Sequence, residues 1–249
     1  MKESYLTTYI DVDGNISKRK PLAKVRTFLF AGFKFAFDRL FSLIGLIICF
    51  IPMLIISLAI KLDSKGPVFF KQERTGKNGK IFNMLKFRSM VADNDVHDFK
   101  KQDQVTRVGA FLRKTSLDEL PQLITILSGK MSFIGPRPWI HDYYLAMNDI
   151  QRHRYVVRPG LTGLAQANGR NTLSIFDKIG YDLEYIENYS LWTDIKVIFL
   201  TIKTVFSKKG ANAGKDVIKN ELNDLKKKSN NKKKATKKRK KWKKRFWLV

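Results

Sequence analysis

Cysteine is nearly missing from this chain: Cys49 stands alone among 249 residues, which excludes an intramolecular disulfide and fits a reducing compartment. Histidine is scarce as well. His97, His141 and His153 have no metal-ligand spacing and read as surface or structural residues. Acid is missing where base is densest, since residues 226–249 hold 14 Lys and Arg and no Asp or Glu. The first residues, MKESYLTTYIDVDGN, lack an apolar core, so no cleavable signal peptide is expected there. No internal repeat is visible.

What is present is a basic, apolar-rich chain. Its 48 Lys and Arg against 22 Asp and Glu give a net charge of +26, and residues 1–225 alone keep 34 against 22, a net of +12. A body that is basic apart from its tail points to anionic partners: phosphates on a small substrate, a lipid surface, or nucleic acid. At 44% apolar and 12% aromatic the chain has enough to fill one sizeable core.

Leu40 to Ile60, LFSLIGLIICFIPMLIISLAI, runs 21 residues without a charge, close to the ~20 that cross a bilayer core. Two features argue against a simple span. Pro52 removes a helical hydrogen bond just past the middle. Basic residues flank both ends, Lys34 and Arg39 before and Lys61, Lys65, Lys71 and Arg74 after, whereas a span wants them on one side. The pattern therefore predicts a re-entrant helix-break-helix hairpin over 34–62, dipping into the cytoplasmic leaflet. A second apolar stretch, Ile195 to Phe206, is too short to span. It fits an amphipathic helix lying in the interface or an ordinary core helix.

The remaining organisation is that of one compact cytosolic domain over 63–210, preceded by an N-terminal cytosolic extension over 1–33 and followed by a lysine-rich tail over 211–249 that is expected to be disordered. Residues 66–90 predict a β-hairpin turning at Gly76 to Gly79. Helices are expected near 108–112, 119–127, 143–155 and 175–188, so the fold class is α/β, mostly α with a small β-hairpin. The tail ends KKWKKRFWLV. Its interleaved Trp242, Phe246 and Trp247 suit an anionic membrane surface or RNA, and beside a membrane segment the lipid surface is favoured.

Six basic residues sit in Gly- or Pro-punctuated contexts: Lys86 and Arg88 in KFRSM, Arg113 in LRKTS, Arg137 in GPRP, Arg158 in RPG and Arg170 in NGRN. Arginine's planar fork binds phosphate oxygens bidentately, and rigid neighbours hold it in place. Two carboxylates, Asp118 and Glu119 in SLDELPQL, lie in the same region of sequence. Ser116 and Glu119 match a capping box, although Pro121 suits a helix capped at Asp118 better than one capped at Ser116. The same two acids beside Arg113 could instead divide the work of phosphoryl chemistry, one as nucleophile and one as metal ligand or base. Spacing leaves both readings open.

The ordered motifs KFAFDR, GPVFFKQERTG, KFRSM, SLDELPQL, MSFIGPRP and RPGLTGLAQANGRN resemble the bacterial sugar transferases, the small monotopic phosphoglycosyl transferases that start exopolysaccharide, capsule, O-antigen and glycoprotein assembly. The resemblance runs from about Lys34 to about Phe206. It implies transfer of a sugar 1-phosphate from a UDP-sugar to a membrane polyprenol (undecaprenyl) phosphate at the cytoplasmic face of a bacterial membrane, with UMP leaving. It further implies that Asp118 is the nucleophile of a covalent phosphosugar intermediate and Glu119 its Mg²⁺-associated partner. Lys86, Arg113 and Arg137 fall near the phosphates, and Asp38 at the start of the re-entrant helix. One departure is Ile51-Pro52, where many members carry Ser-Pro. On this reading no nucleic acid is expected, and self-association stays open. Rival readings are a glycosyltransferase releasing UDP, with its Asp-x-Asp motif at Asp93 to Asp95 or Asp11 to Asp13, and a non-enzymatic basic membrane or nucleic-acid adaptor.

Overall fold

A computed structural model describes residues 8–10, 16–18, 21–91, 105–169, 173–206 and 223. The Asp-x-Asp candidates, Arg170 and nearly all of the lysine-rich tail lie outside the described residues. Two short antiparallel strands, β1 (Thr8–Ile10) and β2 (Ile16–Lys18), precede a 43-residue helix, α1 (Pro21–Asp63). The expected break is not there. The helix is uninterrupted with Pro52 inside it, so residues 21–33 join the apolar segment in one element on the order of 65 Å long. Pro52 leaves the Ile48 carbonyl without its helical donor, but the proline is exposed, and the helical phase carries through it.

That phase is the main feature of α1. Positions 27, 31, 34, 38, 42, 45, 49, 53, 56, 60 and 63 are buried or half-buried, a stripe at intervals of three and four that follows one helix face. Its first half is polar: Lys34, Asp38 and Ser42 are all buried. The opposite face carries Phe28, Phe33, Ile47, Ile48, Ile51 and Leu58 at 41% exposure or more, so the helix is inside out by the standard of a soluble protein. Only 6% of its most apolar stretch is buried, whereas the core helix of a soluble protein is mostly buried.

The inward stripe is fastened along its length. Lys34 Nζ donates to Asp194 Oδ2 at 2.6 Å. Asp38 Oδ1 accepts from the Phe133 N–H at 3.2 Å, and Ser42 Oγ donates to the Leu123 carbonyl at 2.5 Å. Farther on, Met53, Ile56 and Ile60 pack with Phe87, Leu112, Leu117 and Leu120. Both halves of the apolar helix thus dock on the same globular body.

That body begins with the expected hairpin, β3 (Phe69–Thr75) and β4 (Ile81–Phe87), in unbroken antiparallel register from Phe69 opposite Phe87 to Thr75 opposite Ile81. Asn78 and Gly79 turn it with φ of 57° and 77°, a conformation those two residue types adopt at low cost. Next come α2 (Arg107–Thr115), capped by Thr106 accepting from the Gly109 N–H at 2.9 Å, and α3 (Gln122–Leu127). A parallel pair, β5 (Ser132–Ile134) with β6 (Gly160–Thr162), joins the GPRP and RPG segments. A Cβ on Gly160 would lie 2.1 Å from the Gly135 nitrogen, so glycine is required for this approach.

The helix expected over 143–155 is split into α4 (His141–Ala146), α5 (Asp149–Arg152) and a 3₁₀ turn. Asn148 and Gln151 form a reciprocal capping box that restarts the chain. α6 (Leu164–Asn168), α7 (Ile175–Glu187) and α8 (Leu191–Phe206) complete the described fold. α8 has a buried and an exposed face. Val197 is fully buried in a core with Tyr185 and Ile186, while Trp192 and Phe199 are exposed beside a buried Asp194. The architecture is mostly helical with three small two-stranded sheets among the described residues.

The Lys34–Asp194 pair, 8% exposed on each side chain, ties α8 to α1. Tyr185 also donates to Asp194 at 2.7 Å. Lys34→Ala would leave that carboxylate buried without its cation and is expected to cost about 3–5 kcal/mol. Lys34→Ala combined with Asp194→Leu is expected to recover much of the loss. Thermal unfolding in detergent micelles measures both, and equal losses in the single and double variants would contradict the pairing.

Candidate active site

The SLDELPQL segment folds differently from a helix cap. Ser116 ends α2 in the left-handed region at φ 60° and ψ 17°, and its side chain makes no capping bond. Leu117–Glu119 is a 3₁₀ turn, and α3 starts only at Gln122, with Pro121 immediately before it where a missing N–H is harmless. The predicted capping box is therefore not formed, and a helix from Glu119 is corrected to a 3₁₀ turn followed by α3. The result is two half-buried carboxylates on a tight turn facing β4.

Lys86, on β4, is the centre of the arrangement. Its Nζ lies 2.6 Å from Glu119 Oε1 and 4.0 Å from Asp118 Oδ2. Arg137 donates to the same Glu119 oxygen at 3.0 Å. Burial alone would raise the Glu119 carboxyl, but Arg137 and Lys86 outweigh it and hold the group at about 2. Asp118 goes the other way: desolvation raises it above the ordinary carboxylate range, only partly opposed by Lys86, with Glu119 adding to the rise. Burial lowers the Lys86 ammonium in spite of Glu119. Arg113, exposed on α2, donates from Nε to Ser89 Oγ at 2.8 Å and acts electrostatically on Asp118.

The structure thus brings together Asp118, Glu119, Lys86, Arg113 and Arg137. Arg88 is elsewhere. It is 5% exposed and spends its guanidinium on the end of α1, donating to the carbonyls of Lys65 at 2.6 Å and Ser64 at 2.7 Å, the place where a cation meets unpaired helical carbonyls. Arg158 lies against α1, donating to the Gly129 carbonyl at 3.0 Å. Asp38 fastens α1 to β5 through Phe133.

Two participants escaped the sequence reading. Arg74, in the QERTG motif, is pulled down to about 10 by burial and then by Arg137, with Glu119 opposing. Arg154 is fully buried, paired with Asp182 at 2.6 Å, and donates to the Arg137 carbonyl at 2.7 Å, so it positions the loop that carries Arg137. A buried Arg matched to an acid 28 residues away in sequence leaves no local signal.

Among the described residues no three acidic, His or Cys side chains gather into a metal cluster. The two adjacent carboxylates fit the habit of Mg²⁺, which is held by one or two carboxylates with substrate phosphates and waters completing the shell. Glu119 is the residue that would hold it. The site so described is a pair of carboxylates with pKa values pushed apart, ringed by cations that suit a diphosphate.

Residues 29–208 match the family described as bacterial sugar transferase. The chain belongs to that family. It is 43% identical over 186 residues to the galactosyl transferase CpsE of Streptococcus agalactiae, covering 68% of this chain and 41% of that protein. It is 44% identical over 196 residues to a UDP-glucose:undecaprenyl-phosphate glucose-1-phosphate transferase of Klebsiella pneumoniae, covering 72% and 42%. An uncharacterised sugar transferase of Bacillus subtilis, EpsL, is 40% identical over 178 residues, with 69% of this chain and 88% of that protein covered. The chain spans about two fifths of the length of the first two relatives.

Because Glu119 is held at about 2 against an ordinary 4.5, its ionised form adds stability that is complete above 4.5 and lost as pH falls toward 2. The melting-temperature gap between wild type and Glu119→Gln is expected to be flat above about pH 5 and to shrink by pH 3. A gap that stays constant or widens on acidification would show that the two cations do not hold Glu119 ionised.

Proposed function

We propose that this chain moves a sugar 1-phosphate from a UDP-sugar to a polyprenol phosphate and releases UMP. The observation that carries the reading is the contrast at the turn, where Lys86 and Arg137 clamp Glu119 while Asp118 keeps 4.0 Å from its nearest cation. The family membership and the activity for which the Klebsiella relative is named support the substrate classes.

On this reading Asp118 is the nucleophile. Its carboxylate oxygen attacks the β-phosphorus, the one bearing the sugar, and the bond from that phosphorus to the bridging oxygen breaks, with the electron pair leaving on UMP. Lys86, Arg113 and Arg137 stabilise the charge that develops on the phosphoryl oxygens and the leaving group. A polyprenol phosphate oxygen then attacks the same phosphorus, the bond from that phosphorus to the Asp118 carboxylate oxygen breaks, and polyprenol diphosphate sugar departs with the carboxylate restored. Desolvation, which raises the Asp118 carboxyl, makes its ionised form the more reactive one. Mg²⁺ when bound would supply further neutralisation of the diphosphate.

The reading of the membrane arrangement rests on α1. A perpendicular span would separate its ends by a bilayer core of roughly 30 Å, yet Lys34 and Asp38 at one end and Ile60 and Asp63 at the other all hold the same body: Asp63 Oδ2 accepts from the Val108 N–H at 3.0 Å. We infer one-sided embedding, with the outer face of α1 in the cytoplasmic leaflet and the Asp118 turn at headgroup height.

Incubation of the purified protein with UDP-sugars, Mg²⁺ and polyprenol phosphate is expected to yield UMP, and Asp118→Asn is expected to abolish it. UDP as product, or full activity in Asp118→Asn, would overturn the reading. For the topology, cysteines introduced at Lys20 and Lys65 in a Cys49→Ser background are expected to share one labelling side in sealed oriented vesicles. Opposite sides would mean that α1 spans.

A further inference from the structure

The two ends of α3 differ in charge. At one end the carboxylates of Asp118 and Glu119 balance part of the surrounding cations. At the other, the turn at Gly129 gathers guanidinium groups. Arg158 Nε donates to the Gly129 carbonyl at 3.0 Å, and its guanidinium carbon stands 3.9 Å from the Phe35 ring centroid. The Arg39 guanidinium stands 4.2 Å from the same centroid. Gly129 has φ +76°, and a Cβ there would lie 2.8 Å from the Phe35 ring and 3.0 Å from an Arg39 terminal nitrogen. Glycine is what lets both guanidinium groups and the ring close on this turn.

Two like charges sharing one ring are uncompensated. Among the described residues neither Arg39 nor Arg158 makes an ion pair. The acid that acts on Arg158 is Asp38, buried and committed through Oδ1 to the Phe133 N–H. One carboxylate against two guanidinium groups leaves positive charge in excess. Lys77, at the β3–β4 turn, adds to it: burial and then Arg158 hold its ammonium below the usual range. Attraction to the Phe35 ring orients the guanidinium groups but does not neutralise them.

The position of the cluster identifies the missing anion. Arg39 immediately precedes Leu40, the first of the 21 uncharged residues of α1. Phe33, Phe37, Leu40 and Phe41 around it are 44–56% exposed. Charge at the edge of an exposed apolar face is charge at headgroup height. Gly129 lies beyond the C-terminal end of α3 and Glu119 before its start, and the six residues of α3 between them span on the order of 9 Å at helical rise. We propose that Arg39 and Arg158, on their shared Phe35 platform, bind the phosphodiester of an anionic membrane phospholipid at a site separate from the Asp118 turn. The lipid tails lie along the exposed aromatic face of α1, and the bound phosphate fixes the height at which the Gly129 turn, and with it α3, rides on the bilayer. The site rests on the one-sided embedding proposed above and not on the transferase chemistry.

The test uses the full chain in non-ionic detergent, with thermal unfolding followed during titration of four probes: dihexanoyl phosphatidylglycerol, dihexanoyl phosphatidylcholine, inorganic phosphate and a short-chain prenyl phosphate. Phosphatidylglycerol is expected to raise the melting temperature by a few degrees near saturation. Arg39→Gln and Arg158→Gln are each expected to weaken its binding by roughly tenfold, the loss of a charge-assisted phosphate contact. Arg39→Lys, which keeps the charge and loses the fork, is expected to fall between. Asp118→Asn is expected to keep the whole shift, so a failed transferase assay and a failed lipid titration are distinct results. Should Arg158→Gln not fold, Arg39→Gln, on an exposed side chain, decides. Equal titrations in wild type and Arg39→Gln would overturn the proposal. So would an equal response to phosphatidylcholine, an equal response to inorganic phosphate, or a preference of more than about tenfold for the prenyl phosphate, which would assign the cluster to the acceptor.

Discussion

The fold is organised around a helix that is polar where it meets protein and apolar where it does not. In water such a helix would turn its phenylalanines inward. Here Lys34, Asp38 and Ser42 are the buried groups, and each has a partner on the body: Asp194, the Phe133 N–H and the Leu123 carbonyl. These contacts are directional, and they fix the rotation of α1 about its axis, which apolar packing alone would fix poorly. Once the rotation is set, the outer face is a continuous apolar surface, and α8, tied through Asp194, adds Trp192 and Phe199 to the exposed set. An apolar surface of this extent is the arrangement that the proposed one-sided embedding in lipid would cover.

The same helix positions the site. Met53 and Ile56 of α1, and Leu117 and Leu120, the residues that bracket Asp118 and Glu119, pack against one buried cluster of Ile60, Phe87 and Leu112. Arg88 caps the last turn of α1 and Asp63 accepts from the start of α2, so the helix that delivers Arg113 is anchored to α1. A second support comes from the interior, where Arg154, paired with Asp182 and stacked 3.8 Å from the Trp139 centroid, holds the Arg137 carbonyl. The site is therefore built on fixed elements from both sides, the condition for electrostatic preorganisation.

Much of this was legible in the sequence, and the parts that were not share a cause. The apolar run, the β3–β4 hairpin and the carboxylate pair stand out because each signal is local: a charge-free stretch, alternating strands around Asn-Gly, two adjacent acids. Arg88 misled because KFRSM places it two residues from Lys86, a spacing that would put both side chains on one strand face, but β4 ends at Phe87 and Arg88 turns to the end of α1 instead. Pro52 misled because proline removes one hydrogen bond, a cost that a 43-residue helix docked through both halves absorbs without ending. Ser116 matched a capping box in spacing, but its left-handed backbone turns the chain before a cap can form. Arg154, Asp182 and Lys34 were silent, since a long-range buried pair is defined by tertiary packing alone.

The adjacency of Asp118 and Glu119 makes their division of labour a matter of environment. Two neighbouring carboxylates with equal surroundings would share the cations and titrate together. Lys86 instead lies 2.6 Å from one and 4.0 Å from the other, and Arg137 joins the nearer side. Glu119 is consequently the counterion that keeps Lys86 and Arg137 in place before any substrate arrives, and Asp118 is left poorly solvated beside a positive field. On the proposed function, a diphosphate entering that field would compete with Glu119 for the same donors, and drawing Lys86 and Arg137 toward its oxygens would bring its phosphorus to the carboxylate that those cations had not taken. Under that proposal the split would give one acid the task of holding charge and the other the freedom to react.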